Sequence, residues 1–484
     1  MRAVAKESQP RPNILYIMSD DHAYQTIGAY ATLLSDVVRT PNIDRIAEEG
    51  IRLDSCFVTN SICTPSRAAI LTGQYSHING VKTFTALDPN RENVAKLLQK
   101  SGYQTAIIGK WHLRSQPTGF DYWNVLPGQG RYNNPNLTEV GSNEPKTYEG
   151  HSTDVIGDLS LDWLDKRDQD KPFLLMCHFK AAHADWEPAE RFKDLYRNTS
   201  IPEPENLLEA YQSKGKARDL ATLKIENMFE KRHLNGHTKE ELEGKTLEQT
   251  RKYVYQQYMK QYLRCVAGID ENVGRLLTYL DKAGLADNTV VIYTSDQGHF
   301  QGEHGFYDKR FMYEETLRMP FLARYPKEIN PGTTNGDLII NTDFAALFLD
   351  YADQPVPADM QGRSFRRNLM GQSVETWRTE FYYRYWLHRA HHGVPAHFGI
   401  RTKTHKLIFF YGLPMGLSGK PPTAPTWELY DLETDPSEMH NVYHQPAHAS
   451  LVKRLKQRLL ELRTEFKDTD DDSSEMKTVM EKYW

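Results

Sequence analysis

The sequence contains no long apolar run. No stretch of about 18 consecutive apolar residues occurs in the 484-residue chain, so a membrane-spanning helix is not expected. Residues 1–12 also lack the apolar core of a signal peptide. These two absences predict a protein with no membrane partner that is cytoplasmic, or periplasmic or secreted if a leader has been removed.

Cysteine is scarce as well. The four cysteines show no Cys-x-x-Cys spacing and are too few for a disulfide scaffold: Cys56, Cys63, Cys177 and Cys265. Cys177 lies in an apolar run and Cys265 in a helical pattern, so both are expected to be buried packing residues.

Neither sign of charge dominates the composition. The chain has 59 basic and 64 acidic residues, and this formal charge of -5 does not favour nucleic acid or an anionic membrane as a partner. An anionic substrate would therefore have to be attracted by a local group of cations. Hydrophobic residues at 39% and charged residues at 25% are typical of a globular protein. The length predicts one large unit and a smaller one.

Short apolar runs alternate with helical patterns over the first part of the chain. Four runs are predicted to be buried strands, at residues 14–18, 105–108, 173–177 and 290–293. Helices are predicted between them, at residues 42–49, 91–100, 159–166 and 247–282. This order predicts an α/β fold with a large doubly wound, mixed or parallel sheet flanked by helices.

A boundary is predicted where Pro355, Pro357 and Gly362 cluster. It separates a catalytic unit, residues 1–360, from a C-terminal α+β unit, residues 373–484. The second unit is predicted to form a small antiparallel sheet from residues 381–386, 398–401, 406–411 and 427–432, closed by a helix around residues 452–466. The charged segment 203–246 is predicted to be a surface insertion, and the acidic residues 468–472 a solvated end.

Polar side chains follow each predicted strand of the first unit. In open α/β sheets the ligand site lies beyond the carboxyl ends of the strands, so these groups are expected to converge. Those with oxygen donors form a ligand set typical of calcium or magnesium: Asp20, Asp21, Asp296 and Gln297.

Cys63 lies in a motif that carries more information than any other. The residues from Cys63 to Gly73 follow the pattern Cys-x-Pro-Ser-Arg-x-x-x-Leu-Thr-Gly. This pattern resembles the maturation signature of the type I sulfatases of the alkaline phosphatase superfamily. In that family a formylglycine-generating or anaerobic sulfatase-maturating enzyme oxidises the cysteine to formylglycine (3-oxoalanine), which becomes the nucleophile.

A second block extends the resemblance. Residues 102–112, Gly-Tyr-Gln-Thr-Ala-Ile-Ile-Gly-Lys-Trp-His, are similar to the second sulfatase signature. Further similar segments lie at residues 294–298, 302–305, 308–309, 313–315 and 428–436. The chain looks most like the bacterial carbohydrate sulfatases, which implies an alkaline-phosphatase-like fold and hydrolysis of O-sulfated sugars in a polysaccharide or oligosaccharide.

The resemblance also implies a role for each site residue. Calcium would be bound by the four oxygen donors above and by oxidised Cys63, with Gln297 the ligand that departs most from the family pattern. The groups implied to act on formylglycine and on the sulfate are Arg67, Lys110, His112, His183 and Lys309.

Formylglycine has a chemical rationale. A serine nucleophile would leave a sulfate ester that water must break, whereas an aldehyde hydrate can expel sulfate as the aldehyde re-forms. By analogy with the family, Arg67 holds the formylglycine, Lys110 steadies the hydrate and the sulfate, and His112 takes the proton. His183 or Lys309 protonates the departing alcohol, and His183 is favoured because its ordinary pKa lies nearer neutrality.

Basic residues of the second unit, and two histidines after Asp296, are candidates for contacts with the sugar. They are His299, His304, His388, Arg389, His391, His392 and Arg401.

Alternative functions and an alternative state of the nucleophile stay open. Phosphonate monoester or phosphodiester hydrolysis uses the same modified cysteine in the same superfamily, and a non-catalytic glycan-binding relative is the third candidate. Cys63 could also be an unmodified cysteine.

Overall fold

The structure is a computed structural model that describes residues 11–208, 216–231, 234 and 236–484. None of the described helices combines the length and the apolar character that crossing a membrane requires.

The described residues form eighteen strands in four sheets. In chain order the strands are β1 (Asn13–Ser19), β2 (Ile51–Leu53), β3 (Cys56–Phe57), β4 (Gln104–Lys110), β5 (Tyr122–Leu126), β6 (Asn136–Glu139), β7 (Lys146–Thr147), β8 (Phe173–Phe179), β9 (Thr289–Ser295), β10 (Phe300–Gln301), β11 (Tyr307–Asp308), β12 (Phe321–Arg324), β13 (Thr333–Asn335), β14 (Ile339–Ile340), β15 (Glu380–Tyr385), β16 (His397–Thr402), β17 (His405–Phe410) and β18 (Thr426–Asp431).

Twelve α-helices connect and cover these strands. They are α1 (Pro41–Glu48), α2 (Cys63–Thr72), α3 (Ser76–Asn79), α4 (Val94–Lys100), α5 (Ser152–Lys166), α6 (Lys216–Leu220), α7 (Leu247–Lys282), α8 (Glu314–Leu317), α9 (Asp343–Tyr351), α10 (Arg366–Leu369), α11 (Ala449–Glu465) and α12 (Ser474–Tyr483).

The main sheet has ten strands in the order β13-β2-β12-β9-β1-β8-β4-β5-β6-β7. Its central strands β9, β1, β8 and β4 run parallel, whereas β12 is antiparallel to β9. Every residue of β1, β8 and β9 is buried, because helices pack on both faces of a doubly wound sheet. The predicted fold class and the four predicted strands are confirmed.

The second sheet has the antiparallel order β15-β16-β17-β18. One face points to the main sheet, where the Tyr383 hydroxyl donates to the Arg310 carbonyl at 3.0 Å. The other face lies under α11, and Arg384 on that side pairs with Asp468 at 2.7 Å. The small sheet therefore contacts the catalytic unit on one face and α11 on the other. The division at residues 360 and 373 stays a prediction.

Two segments predicted to lie at the surface are buried in part. Within the segment predicted to be a surface insertion, Leu223, Ile225 and Met228 are fully buried, because they are apolar positions that pack into the core. In the acidic run 468–472, Asp468 is 5% exposed because it pairs with buried Arg384, whereas Asp471 and Asp472 are exposed, and α12 follows the run.

Candidate active site

The carboxyl ends of four central strands lie at one edge of the main sheet. Ser19 at the end of β1 is paired with Phe179 of β8 and Ser295 of β9, and Gly109 of β4 is paired with His178 of β8. The polar residues that follow these strands are thereby placed beside one another, although they are far apart in sequence.

Three carboxylates form the centre of this site. Ligand oxygens of Asp20, Asp21 and Asp296 all lie within 4.8 Å of one another, and the three side chains are buried. Gln297 lies against them and donates from Nε2 to Asp296 Oδ1 at 2.7 Å. Carboxylate and amide oxygens in one buried cluster suit a hard divalent cation.

Two buried oxygen atoms that lack hydrogen-bond partners also indicate a site for a cation. Asp20 Oδ1 and Gln297 Oε1 are buried without a hydrogen-bond partner. The two ends of an amide are assigned from its hydrogen bonds, and turning the Gln297 amide over would direct Oε1 to the carboxylates. The donor set therefore fits a divalent cation.

Three cations surround the carboxylates. Arg67 Nε donates to Asp296 Oδ2 at 2.9 Å, Lys309 Nζ lies 2.5 Å from Asp21 Oδ1, and Lys110 contacts Asp20. Burial opposes ionisation of Asp296, but Arg67, Lys110 and Lys309 outweigh it and hold the pKa of this carboxyl below its ordinary value. Burial likewise opposes the charge of Lys309, yet the Asp21 and Asp308 carboxylates raise its pKa.

Cys63 is the first residue of α2 and lies beside His112. Its Sγ is 3.2 Å from His112 Nδ1, and burial raises the pKa of the thiol. Burial, together with the charges of Lys110 and Arg67, lowers the pKa of His112 to about 2, so the ring is neutral. All ten residues of α2 are buried.

His183 lies on the more open side of the site. Its Nε2 is 3.8 Å from Asp21 Oδ2, and its side chain is 18% exposed, whereas Cys63, Arg67, Lys110, His112 and Lys309 are each at least nine-tenths buried. The Nδ1 atom lies against the Ala184 carbonyl, which can only accept, so Nδ1 carries the ring proton. The Nε2 atom is left to face the pocket.

Four of the seven predicted sugar contacts are directed into the protein instead. Both ring nitrogens of His388 are used, by the Ala396 N-H at 3.1 Å and the Pro421 carbonyl at 3.0 Å. His299 lies 3.2 Å from the Tyr258 hydroxyl and is 2% exposed.

The other two belong to a buried polar network. Arg401 pairs with Glu314 at 3.1 Å, and His304 is 1% exposed with Nδ1 3.3 Å from Arg218 Nη1. Charged and polar side chains among these candidates therefore serve packing, and a high density of histidine and arginine does not by itself indicate contact with a ligand.

The remaining three candidates, in the loop after β15, lie nearer the site. His392 Nε2 is 3.0 Å from Asp308 Oδ2, beside Lys309. The exposed His391 ring packs on Phe84, whose ring centroid is 6.1 Å from that of His112. Arg389 is partly exposed at a positive φ of 53° in the same loop.

The sequence reasoning missed Arg310 and Gln129. Arg310 is 5% exposed, its Nε and Nη1 have no hydrogen-bond partner, and its Nε is 3.5 Å from Asp308 Oδ1. Its φ of 102° is a conformation that favours glycine, which marks a constrained position. Gln129 Oε1 accepts from Lys110. Arg310 directly follows Lys309, and this position could have identified it from the sequence. Gln129 lies in a loop that contains no motif.

The fold and the charges define a class of protein. A carboxylate cluster whose donors fit a divalent cation, ringed by arginine and lysine at the edge of an alkaline-phosphatase-like sheet, suits hydrolysis of an anionic ester. A family model described as sulfatase matches residues 12–354, and one described as the C-terminal part of N-sulphoglucosamine sulphohydrolase matches residues 302–465. The chain belongs to the sulfatase family, and it is an enzyme that hydrolyses sulfate esters of sugars.

Individual relatives agree with this assignment. An N-acetylglucosamine-6-O-sulfatase of Bacteroides thetaiotaomicron is 41% identical, covering 97% of this chain and 89% of the relative. A solved structure in complex with its substrate D-glucosamine-2-N,6-O-disulfate has a TM-score of 0.88 at 41% identity, covering 96% of this chain and 100% of the other. The phosphonate monoester hydrolase of Agrobacterium radiobacter shares the fold alone, with a TM-score of 0.74 at 19% identity over 94% of this chain and 96% of the other.

Proposed function

We propose that this enzyme removes the 6-O-sulfate of glucosamine units in a sulfated polysaccharide or oligosaccharide, with formylglycine made from Cys63 and with bound calcium. The observation that carries the proposal is the buried cluster in which Cys63 and His112 lie beside three carboxylates and three cations. The choice of sugar is supported by the 41% identity to an N-acetylglucosamine-6-O-sulfatase over 97% of the chain.

Calcium would be held by the four oxygen donors predicted from the sequence, and magnesium is the second candidate. Bound there, the ion would offset the repulsion among the carboxylates and attract a sulfate oxygen. Its ligands would be Asp20, Asp21, Asp296 and Gln297.

The nucleophile would form where Cys63 Sγ now lies. As an aldehyde hydrate, the oxidised side chain supplies one hydroxyl to attack sulfur and a second whose deprotonation expels sulfate. His112 Nδ1, 3.2 Å from Sγ, is neutral and placed to accept that second proton. Arg67 is fixed between Asp296 and the Lys110 carbonyl, which it reaches at 2.7 Å, so its guanidinium orients the first turn of α2.

The leaving alcohol would be protonated by His183. Its Nε2 is the one catalytic nitrogen on the exposed side of the cluster, where a saccharide arrives. Burial and the nearby cations Lys110 and Lys309 lower the pKa of His183 well below its ordinary value, and a bound sulfate would counter those cations. Lys309 forms an ion pair with Asp21 and would bind the sulfate through its ammonium group.

The sugar itself would meet Arg310, Asp308 and His392. The guanidinium nitrogens of Arg310 that lack partners are donors for sugar hydroxyls, and Asp308 is an acceptor beside them. His392 brings the second unit into this contact, at 3.0 Å from Asp308.

A panel of sulfated sugars tests the substrate. Glucosamine carrying sulfate at O6, at O3 or at the amine, and galactose 6-O-sulfate, would be incubated with the enzyme, and the products separated by chromatography. Loss of the O6 sulfate from glucosamine is expected, with galactose 6-O-sulfate turned over at least ~10-fold more slowly, because its O4 is directed elsewhere. Turnover of a phosphodiester without desulfation of any sugar would instead establish the phosphodiesterase alternative. Tight binding of a sugar without turnover would establish the non-catalytic glycan-binding alternative.

Two cysteine variants test the nucleophile. Cys63→Ala is expected to abolish turnover, whereas Cys56→Ala, which truncates another buried cysteine, is expected to retain it. Mass spectrometry of the peptide that contains Cys63 should find an aldehyde in place of the thiol. An alkylatable Cys63 thiol in every molecule of fully active enzyme would contradict the proposal.

The maturation partner and the compartment belong to the same proposal. Active enzyme is expected only from a host that has a formylglycine-generating or anaerobic sulfatase-maturating enzyme. We place the protein in the periplasm or outside the cell if a leader precedes this chain, and in the cytoplasm otherwise. Fractionation of the native host and immunoblotting would decide between these compartments.

A further inference from the structure

A second acidic cavity lies outside the catalytic cluster. Its volume is about 560 Å³, and it is enclosed by the segment after β1, the loop before α6, the turn after β10, the start of α8 and the loop after β18. Its acidic lining residues are Glu205, Glu303, Glu314 and Glu315, and among the described residues no lysine or arginine lines it. None of the four predicted calcium ligands lines it either.

The acidic lining residues differ in how their charge is compensated. Glu314 is paired with Arg401 at 3.1 Å and Lys406 at 2.8 Å, so its charge is satisfied by the protein. Glu303 accepts hydrogen bonds from Gln25 at 3.1 Å and from the Gln301 N-H at 2.5 Å, and both donors are neutral. Glu303 therefore brings a carboxyl group to the cavity without a basic partner.

Glu315 is the more informative group. It is 7% exposed, and its Oε2 has no hydrogen-bond partner. The nearest cationic candidate, His304 Nε2, is 3.7 Å away, beyond hydrogen-bond distance. A buried carboxylate oxygen without a donor costs free energy unless something outside the chain satisfies it.

Gln25 adds a neutral acceptor to the same cavity. Its side chain is 7% exposed, its Nε2 is used by Glu303, and its Oε1 has no hydrogen-bond partner. Two buried oxygens, one from a carboxylate and one from an amide, thus lack donors in one cavity. If these side chains only supported the fold, the protein would be expected to supply hydrogen-bond donors to both oxygens. A cation bound in the cavity would satisfy both of them.

We infer that this cavity binds a divalent cation, with calcium as the best fit, through Glu303, Glu315 and Gln25. Two carboxylates balance the charge of the ion, and calcium accepts amide oxygens and water in a flexible shell. The volume leaves room for the water molecules that complete the coordination.

The ion would join segments that are distant in sequence. Gln25 lies just after β1, Glu303 lies in the turn after β10, and Glu315 lies in α8, which also carries the Glu314 contact to the second unit. Bound calcium is therefore expected to stabilise this side of the molecule without touching the reacting atoms.

Calcium stoichiometry tests the inference. Folded full-length protein would be dialysed against calcium, and the bound metal measured for wild type, for a Glu303→Gln/Glu315→Gln double variant and for Glu205→Gln. Glu205 is exposed on the rim of the same cavity, so it is the matched control. The double variant is expected to bind one calcium fewer per chain than wild type and than Glu205→Gln.

Thermal unfolding gives a second readout. Calcium is expected to raise the Tm of wild type more than that of the double variant, while sulfatase turnover of the two stays within ~2-fold, because a ligand that binds only the folded state raises Tm. Removing two buried charges with isosteric amides leaves the fold in place, and circular dichroism in chelator verifies it. Equal calcium content in wild type and double variant would overturn the inference. That comparison is independent of the catalytic site, because both proteins retain it.

Discussion

Two histidines in the site differ in what their surroundings permit. His112 is 7% exposed, lies beside Lys110 and Arg67, and keeps a neutral ring next to Cys63. His183 is 18% exposed and binds the Ala184 carbonyl through Nδ1, so Nε2 faces the pocket. One ring is suited to taking a proton in a closed environment, and the other to giving one where the substrate enters.

A variant of His183 separates these roles. His183→Ala is expected to slow hydrolysis of a sugar sulfate by about 10²- to 10⁴-fold, the range typical of general acid catalysis. An aryl sulfate with an acidic phenol as leaving group needs no proton donor, so its hydrolysis should fall by much less. The kcat for both substrates would be measured, with Lys309→Ala in parallel. A reversed pattern, in which Lys309→Ala alone spares the aryl sulfate, would assign the acid to Lys309.

The pair Glu303 and Glu315 predicts a pH dependence of stability. Burial, with the Glu315 charge, raises the pKa of Glu303 to about 7, and burial raises that of Glu315 to about 7. Unfolded glutamate has a pKa of about 4.3, so the folded state binds more protons between these values. The contribution to stability is present below about pH 4.3 and is lost as pH rises through 7.

Denaturant unfolding in chelator at pH 5 to 8 measures this effect. The free energy of unfolding of wild type should fall by about 1–3 kcal/mol more than that of the Glu303→Gln/Glu315→Gln variant. Parallel pH curves for the two proteins would show that these carboxyls titrate normally.

Among the elements, the central strands were predictable and the tail was not. Strands β1, β4, β8 and β9 are continuous apolar runs bounded by polar residues, a signal contained within each segment. The burial of Asp468 depends on Arg384, which lies 84 residues earlier and on a strand that also reads as apolar. The spacing of apolar residues predicts helices and strands locally. It does not predict that the fold brings Arg384 next to Asp468.

The tail residue Asp468 is predicted to stabilise the second unit. Asp468→Asn would leave buried Arg384 with Asp470 as its remaining carboxylate, so the free energy of unfolding should fall by ~3 kcal/mol. Asp472→Asn, in the same acidic run but exposed, should change it by less than ~0.5 kcal/mol. Denaturant unfolding of both variants measures this difference. Equal effects of the two substitutions would show that Asp468 is as solvated as Asp472.

The end of β4 depends on a glycine. Gly109 has a φ of 102°, and a Cβ there would overlap the backbone carbonyl of His178 on the neighbouring strand. Gly109→Ala should therefore destabilise the protein by ~2 kcal/mol or more and displace Lys110. Gly336→Ala is the control, since nothing lies within 4 Å of its Cβ position. Unfolding and kcat are measured together, and a Gly109→Ala protein with unchanged values for both would contradict this account of the strand end.

Across the whole molecule, a buried ionic network joins the small sheet to α8 of the catalytic unit. Lys406 on β17 is fully buried and lies 2.8 Å from both Glu314 Oε1 on α8 and Glu438 Oε1 after β18. Glu314 also pairs with Arg401 on β16. The network explains why Arg401 is unavailable to a sugar, and it couples the second unit to the segment that follows Lys309.

Removing the shared cation should loosen this coupling. Lys406→Met leaves two buried carboxylates facing one another and is expected to cost about 3–5 kcal/mol. Lys403→Met, whose side chain is 52% exposed, should change stability by less than ~0.5 kcal/mol. Tryptophan fluorescence and circular dichroism would follow unfolding. A stability unchanged by Lys406→Met would show that the network does not hold the small sheet to α8.

The arrangement of the whole molecule also decides how much of the site can be predicted from the sequence. The groups predicted to bind metal and sulfate lie at strand ends, a position that the topology of open α/β sheets makes special, so their convergence follows from the order of elements. The proposed contacts with the sugar depend on how the loop after β15 folds against Asp308, and no periodicity encodes that. His388 and His392, four residues apart, differ for this reason: one is internal and the other reaches the pocket.

The complete burial of α2 sets an order of events in biosynthesis. A side chain that is 1% exposed is out of reach of another enzyme's active site, so oxidation of Cys63 to the proposed formylglycine would have to precede docking of α2 against the sheet. Maturation and folding would then compete for the same nascent chain, and the faster of the two would set the fraction of active molecules. Supplying the maturation enzyme after the chain has folded would recover nothing, whereas slowing translation or folding would raise the yield.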